Sequence, residues 1–211
     1  MYYKDRKDAA LKLIPLLAKY KNEKGVVLAV PRGGVPIAYY ISKHYGFPID
    51  LLMTKKIGHP NKPEFAIGAV SLEGHIIDTR HYVSPTYINK KIETIRQDLQ
   101  ARYKLFMGDR KPVDLKNKTV IIVDDGIATG NTILSALPML RKQGPKKIIV
   151  VAPVSPPDTA KKIIREADDL ICPYLPEDFF GVGYHYYDFS EVTDEEVILL
   201  LKSANGFEKA A

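Results

Sequence analysis

The chain has 211 residues, of which 45% are hydrophobic and 27% are charged, a balance that is ordinary for one globular domain. No apolar run approaches the roughly 20 residues that span a bilayer, and the charged N-terminus lacks a signal-peptide core. The single cysteine, Cys172, excludes an intramolecular disulfide. We therefore expect a cytoplasmic protein without a membrane segment, in which Cys172 is a buried structural thiol.

The net charge of +6 is compatible with nucleic acid as a partner, and equally with a polyphosphate ligand. The Lys and Arg residues are scattered along the chain. No dense basic block is interleaved with aromatic residues, which is the pattern that would favour nucleic acid. The charge is therefore only weak evidence for RNA or DNA binding.

The first half of the chain alternates between predicted helices and strands. A helix over residues 5–20 is interrupted by Pro15, where we expect a kink or a later start. The elements that follow are a strand at 26–30, a helix at 37–45, a strand at 49–54, a hairpin of 66–72 and 75–78, and a long helix from Pro85, capped by Ser84, to about Gly108.

The second half continues the alternation and defines the fold class. It contains a strand from Val120, a helix from Ile133, a strand at 147–152, a helix at 157–167 and a strand at 169–172. This pattern predicts one α/β domain over 1–211, with a doubly wound, mostly parallel sheet flanked by helices. Residues 55–115 interrupt the alternation, so we expect them to form a lid over the active site.

Ligands of such sheets bind beyond the carboxyl ends of the strands. Two glycine-containing loops follow strands here, Arg32-Gly33-Gly34 and the segment from Gly126 to Thr132. A third predicted strand ends in Lys55-Lys56. We expect all three to converge on one crevice.

The run from Val120 to Thr132 carries the most specific signal. It reads Val-Ile-Ile-Val-Asp-Asp-Gly-Ile-Ala-Thr-Gly-Asn-Thr, a buried strand, an acid pair and a loop that opens a helix. Backbone N–H groups and the helix dipole make such a loop an anion site. An acid pair would repel phosphate, so Asp124 and Asp125 must face something else, such as ribose hydroxyls or Mg²⁺. Asn131 replaces the Lys of a phosphate-binding P-loop, and the dinucleotide-binding glycine pattern is absent.

This run resembles the phosphoribosyl pyrophosphate (PRPP) signature of type I phosphoribosyltransferases. The resemblance implies that Asp124 and Asp125 hold the ribose diol and that Arg32, with Lys55 or Lys56, meets the pyrophosphate. It implies a catalytic role for Asp124, Asp125 and Arg32, and Mg²⁺ held mostly by PRPP oxygens and water beside the acid pair. Substrate would also be bound by Gly33, Gly34, Gly126, Ile127, Ala128, Thr129, Gly130, Asn131 and Thr132. Whether the Pro31–Arg32 peptide bond is cis, as in many such loops, cannot be read from sequence.

The implied reaction is displacement of pyrophosphate from C1 of the ribose by a nitrogen nucleophile, and the acceptor base stays open. In hypoxanthine and guanine enzymes an acid precedes the Thr-Gly of the loop, whereas this chain has Ala128. A C-terminal hood over 173–205 resembles the purine-salvage hood, with Phe180 placed to stack on a base. Asp188 lies one residue later than the acid of that hood, and Glu64 in the presumed lid is a candidate general base.

The resemblance covers about residues 4–202 and is closest to a branch of predicted phosphoribosyltransferases without an established acceptor. Enzymes of this type are commonly dimers, so a homodimer is an expectation by resemblance. A PRPP-sensing regulator that binds nucleic acid on the same fold, with weak or no catalysis, is the alternative.

Overall fold

The computed structural model describes residues 3–80, 82–204 and 206. The two ends of the expected 1–211 domain and the last residue of the expected hood, Asn205, lie outside the described residues. No helix in the described part of the chain combines the length and the apolar composition needed to cross a membrane.

The described elements alternate as follows. They are α1 (Arg6–Leu13), a 3₁₀ helix (Ile14–Tyr20), β1 (Gly25–Ala29), α2 (Gly34–Tyr45), β2 (Ile49–Leu51), β3 (Thr54–His59), β4 (Lys62–Ser71), β5 (His75–Ile77), α3 (Pro85–Met107), β6 (Thr119–Val123), α4 (Asn131–Arg141), β7 (Lys147–Val151), α5 (Pro157–Glu166), β8 (Asp169–Ile171), a second 3₁₀ helix (Val182–His185) and α6 (Asp194–Ala204).

Five strands form a fully parallel sheet in the order β2-β1-β6-β7-β8. The strands end level with one another, because the register aligns their last residues: Leu51, Ala29, Val123, Val151 and Ile171. The loops that leave β1 and β6 therefore start side by side at the carboxyl edge of the sheet. The predicted doubly wound α/β fold is confirmed.

The core lies on both faces of this sheet and follows the two-residue period of the strands. On β6, Ile121 and Val123 face the cluster that contains residues of α1, α2, α3 and α6. Val120 and Ile122 face the opposite cluster, which contains residues of α4 and the buried face of α5. A strand that is buried on both faces needs a continuous apolar run, which explains the composition of residues 120–123.

Several boundaries differ from the sequence-based expectations. The first helix is α-helical only to Leu13 and continues as a 3₁₀ helix, because Pro15 has no N–H to donate within an α-helical turn. The predicted strand at 49–54 ends at Leu51, and α2 begins at Gly34 rather than Ile37. Ser84 precedes α3 as expected, but within the described structure its side chain makes no capping hydrogen bond.

Strands β3, β4 and β5 form a separate antiparallel sheet within the expected lid segment. The hairpin of β4 and β5 was predicted, whereas β3 was not. Lys55 and Lys56 therefore lie inside β3, paired with Val70 and Ala69, and not at the end of a parallel strand. The prediction was wrong here because the chain turns into a second sheet after Met53, which apolar periodicity does not show.

A buried carboxylate connects β2 to α3 and to the segment that follows α3. Asp50 is almost fully buried and accepts hydrogen bonds from the Tyr103 hydroxyl (2.9 Å), the Val113 N–H (2.7 Å) and the Leu51 N–H (2.7 Å). Burial raises the pKa of Asp50, although these donors favour its charged form. The network fixes α3 against the edge of the parallel sheet.

Replacing Tyr103 with Phe should lower the free energy of unfolding by about 1–3 kcal/mol, because it removes one donor from a buried carboxylate. Urea unfolding measures this change. Tyr82→Phe is the matched control, since Tyr82 is 96% exposed, and its effect should stay within about 0.5 kcal/mol. Equal stability of the two variants would contradict a stabilising role for the Tyr103–Asp50 bond.

Candidate active site

The candidate site lies where the loops after β1 and β6 leave the sheet. The Val30 N–H donates to the Val123 carbonyl (2.9 Å), which holds the two loop starts together. Gly33 packs directly on the side chain of Asp125, and a Cβ at this position would overlap the carboxylate. A Cβ at Gly34 would likewise overlap the Val123 carbonyl oxygen. Two consecutive glycines are therefore needed for this approach, and the two glycine-containing loops meet as predicted.

The loop after β1 contains a cis peptide bond between Pro31 and Arg32. The Arg32 guanidinium forms an ion pair with Glu191 and lies 3.6 Å from the carboxylate of Asp194. The Gly34 N–H donates to the Val30 carbonyl (3.0 Å). We expected Gly34 to bind substrate, but its N–H is already used by the turn between β1 and α2.

The acid pair is held from several directions. The Asp125 N–H donates to Oδ1 of Asp124 (2.9 Å), and the Tyr186 hydroxyl donates to the Asp125 carbonyl (2.6 Å). Two nitrogens of Arg6 contact Oδ2 of Asp125, Nε at 2.9 Å and Nη2 at 2.8 Å. The backbone and one carboxylate oxygen of Asp125 are therefore fixed before any ligand binds.

Burial dominates the electrostatics of the acid pair. It raises the pKa of Asp124 well above its usual range, and the neighbouring Asp125 adds to this effect. Burial also raises the pKa of Asp125, while Arg6 opposes the rise. Two adjacent carboxylates in one buried place favour a cationic or hydroxyl-bearing partner over an anion.

The loop after the acid pair ends at the N-terminus of α4. Gly130 has a φ of +72°, in the left-handed region that favours glycine, and its carbonyl accepts the Leu134 N–H (2.8 Å). The N–H groups of Thr132 and Ile133 precede this first bond of α4, whereas the Asn131 N–H donates to the Thr129 hydroxyl (3.4 Å). The N-terminus of a helix generally favours anions, because of such N–H groups and the helix dipole. Ile127 is an exception among the expected donors, because its side chain is buried and its N–H donates to the Val154 carbonyl (2.9 Å).

The two lysines of β3 line a cleft of about 740 Å³ between the antiparallel sheet and the start of α4. Asn131 and Thr132 line the same cleft, so Lys55 and Lys56 lie on the side of the α4 N-terminus. Each lysine has a carboxylate partner: Lys56 Nζ lies 3.2 Å from Glu64, and Lys55 Nζ lies 3.3 Å from Asp98.

The C-terminal hood segment reaches the acid pair through its 3₁₀ helix. The Val182 side chain packs on Gly126 so closely that a Cβ there would overlap it. Phe180 and Tyr184 lie close by in sequence with 78% and 68% of their surfaces exposed, and their ring centroids are 6.0 Å apart. Asp188 accepts the Ser190 N–H (3.0 Å), so its carboxylate closes a local turn.

The chain offers few protein ligands for a metal ion. No group of three or more His, Cys, Asp or Glu side chains among residues 3–80, 82–204 and 206 is arranged to hold one. Mg²⁺ commonly binds through one or two carboxylates, with waters and substrate phosphates filling its other positions. Asp124 and Asp125 fit a Mg²⁺ ion of this kind, which would be held mostly by ligand oxygens.

Doubly wound α/β proteins bind ligands beyond the carboxyl ends of their strands, which is where this acid pair lies between a glycine-containing turn and a helix N-terminus. Residues 3–188 match the phosphoribosyl transferase domain family. The chain belongs to this family.

Individual relatives agree with this membership. A Mycobacterium tuberculosis protein, named provisionally as a phosphoribosyl transferase, is 34% identical over 208 residues, covering 96% of this chain and 47% of the relative. The chain thus spans about half the length of that relative. The crystal structure of TT1426 from Thermus thermophilus superposes with a TM-score of 0.88 at 33% identity, over 96% of this chain and 99% of that one.

The fold extends to a more distant enzyme. A purine phosphoribosyltransferase from Pyrococcus horikoshii has a TM-score of 0.52 at 19% identity, over 91% of this chain and 97% of that one. At this identity the likeness concerns the fold alone.

Sequence reasoning did not find Arg6, Tyr186 and Glu191, which contact the predicted site residues. They lie far from the signature in sequence, and only the fold brings them to it. An arginine in the first turn of an amphipathic helix is usually an ordinary solvent-exposed residue. No local pattern therefore distinguished it.

Replacing Gly33 with Ala should lower the free energy of unfolding by about 1–3 kcal/mol, because the new methyl group overlaps the Asp125 carboxylate. Gly74→Ala is the control, since a Cβ there would have only the Ser71 hydroxyl near it, at 4.0 Å. Chemical unfolding of both variants measures the difference. A Gly33 variant as stable as the Gly74 variant would show that the loop does not pack on the acid pair as described.

Proposed function

We propose that this protein transfers the phosphoribosyl group of PRPP to a small nitrogen base and releases pyrophosphate. The observation that carries the proposal is the position of Asp124 and Asp125 between two anion-binding turns. On one side lies the loop that contains Arg32 and Gly33, and on the other lies the N-terminus of α4. PRPP has the same order of groups, with a ribose diol between a pyrophosphate and a 5′-phosphate.

Each part of PRPP has a matching part of the site. The N–H groups of residues 128–132 and the hydroxyls of Thr129 and Thr132 would hold the 5′-phosphate. The two carboxylates would accept hydrogen bonds from the 2′- and 3′-hydroxyls. Arg32 and the backbone at Gly33 would hold the pyrophosphate, to which an arginine can donate two parallel hydrogen bonds.

The acid pair has a second task in this reaction. Departure of pyrophosphate leaves positive charge on the ribose ring, and two buried carboxylates beside it stabilise that charge more than water would. Mg²⁺ bound with PRPP would neutralise charge on the leaving pyrophosphate. Lys55 and Lys56 at the cleft beside α4 would add positive charge near the 5′-phosphate by exchanging their carboxylate partners for the ligand.

The hood would bind the acceptor. The exposed rings of Phe180 and Tyr184 offer apolar faces on which a planar base can stack, and Val182 connects this segment to the loop after the acid pair. Position 128 is an alanine and offers no carboxylate to the acceptor base. Backbone groups or residues of the hood would therefore have to bind the polar edge of that base. Glu64 would act as a base only after release from Lys56.

The reaction is tested by pyrophosphate release from PRPP with Mg²⁺ and a panel of purine, pyrimidine and pyridine bases. With the correct base, the double variant Asp124→Asn/Asp125→Asn should lose at least about 100-fold in kcat/KM, because it removes the charge beside the ring. Asp158→Asn/Glu166→Gln removes two negative charges from exposed positions of α5, so it is the charge-matched control and should keep full activity. Failure of every base, or full activity of the double variant, would overturn the proposal.

If Arg32 binds the pyrophosphate, Glu191 competes with it for the Arg32 guanidinium. The Arg32–Glu191 pair is partly exposed to solvent, with side-chain exposures of 33% and 75%, so it is worth about 0.2–1 kcal/mol. Glu191→Gln should therefore lower the Kd for pyrophosphate with Mg²⁺ about 1.5- to 5-fold in calorimetry. Glu166→Gln, an exposed substitution of the same charge on α5, should leave the Kd unchanged. Unchanged or weaker binding by the Glu191 variant would contradict competition between Glu191 and pyrophosphate for Arg32.

A further inference from the structure

Arg6 is the first residue of α1, and its guanidinium contacts the Asp125 side chain of the acid pair. Nε and Nη2 both contact Oδ2 of Asp125, at 2.9 and 2.8 Å. The remaining terminal nitrogen, Nη1, donates to the Ser190 carbonyl (2.8 Å). Only 12% of the Arg6 side chain and 13% of the Asp125 side chain are exposed. Arg6 is therefore a fixed internal partner of the acid pair.

The guanidinium is held in place from a third direction. Its central carbon lies 4.1 Å from the centre of the Phe189 ring, a distance at which an arginine plane is attracted to an aromatic face. Phe189 and Ser190 belong to the segment that also carries Tyr186, whose hydroxyl binds the Asp125 carbonyl. The Phe189 ring, the Ser190 carbonyl and the Asp125 carboxylate together fix the orientation of the planar Arg6 guanidinium.

This arrangement gives one oxygen of each carboxylate a partner elsewhere in the protein. Oδ2 of Asp125 binds Arg6 and lies against Gly33. Oδ1 of Asp124 binds the Asp125 N–H. One oxygen of each carboxylate is thus used within the protein. The two carboxyl groups also contact each other through a side-chain hydrogen bond. A ligand with two adjacent hydroxyls would replace this bond with one hydrogen bond to each carboxylate.

We propose that Arg6 is a positioning residue for the ribose: it holds Asp125 so that one carboxylate oxygen faces the diol of PRPP. This inference rests on the proposed function, because it assumes that the acid pair binds a ribose. It assigns Arg6 no contact with the pyrophosphate, which belongs to the loop at Arg32. Loss of Arg6 should therefore weaken ligands that contain the ribose and spare those that lack it.

The test uses calorimetric binding of two ligands to the whole chain in the presence of Mg²⁺, PRPP and inorganic pyrophosphate. Arg6→Lys keeps the positive charge but loses the planar fork, and Arg6→Gln loses both. Loss of charge-assisted hydrogen bonds should raise the Kd for PRPP about 10- to 100-fold in Arg6→Gln, with a smaller rise in Arg6→Lys. The Kd for pyrophosphate should stay within about twofold of the wild type in both variants.

Lys12→Gln is the matched control, because it removes a positive charge from the same helix at a surface pair with Asp8. Both of its Kd values should equal those of the wild type. Phe189→Leu removes the ring beneath the guanidinium while keeping Arg6, and it should weaken PRPP but not pyrophosphate. This variant and Arg6→Lys keep the test decisive if Arg6→Gln does not fold.

Three results would overturn the inference. Unchanged PRPP binding by folded Arg6→Lys and Phe189→Leu variants would show that Arg6 does not position Asp125 for the ligand. An equal loss of PRPP and pyrophosphate binding would assign Arg6 a general structural role. A wild-type chain that binds pyrophosphate but not PRPP would overturn the proposed function itself. Failure of the proposed function is therefore seen in the wild type, whereas failure of the Arg6 inference alone is seen only in the variants.

Discussion

The contact between Gly33 and the Asp125 side chain is the constraint on which the site depends. It brings the loop after β1 against the loop after β6, and it is possible only because position 33 has no Cβ. The level ends of β1 and β6 make the contact geometrically natural, since Ala29 and Val123 are paired in the sheet. The parallel sheet thus determines the spacing of the two loops, and the glycines bring the loops into direct contact.

Burial of two adjacent carboxylates is unfavourable, and residues from the first helix and from the segment before α6 stabilise them. Arg6 comes from the first helix, and Tyr186, Phe189 and Ser190 come from the segment before α6. The isolated β-bridge between Tyr3 and Tyr186 joins these two segments directly. A buried carboxylate next to another carboxylate favours neutralisation, and a fixed guanidinium keeps at least one of them charged. The stability of the site and its ligand chemistry therefore rest on the same contacts.

Much of the fold could be predicted from the sequence because its central strands are fully buried. Residues 120–123 and 148–151 form short apolar runs bounded by loops, and runs of this length and β-branched composition are typical of buried parallel strands. The antiparallel strand β3 could not be predicted, since Lys55, Lys56 and His59 give it no apolar period. Helix α6 was missed because its acidic first turn follows a long irregular segment without a strand before it.

The same difference separates the parts of the site. Asp124, Asp125 and the loop that follows are contiguous, so one pattern carries both their identity and their spacing. Arg6 contacts Asp125, which is 119 positions away in the sequence, and Glu191 contacts Arg32, which is 159 positions away. No pattern in a single sequence predicts such distant pairs. The lysine pair was expected at the edge of the parallel sheet and instead faces the start of α4 from the second sheet. Local signals therefore predicted the two glycine-containing loops and the acid pair, whereas the residues that contact them depend on the tertiary fold.

The most direct test of the account is a crystal structure of the protein with PRPP and Mg²⁺ bound. The account predicts the 5′-phosphate at the N-terminus of α4, the ribose hydroxyls on Asp124 and Asp125, and the pyrophosphate at Arg32 and Gly33. A PRPP molecule bound with its ribose away from the acid pair, with Asp124 and Asp125 contacting only protein groups, would contradict it.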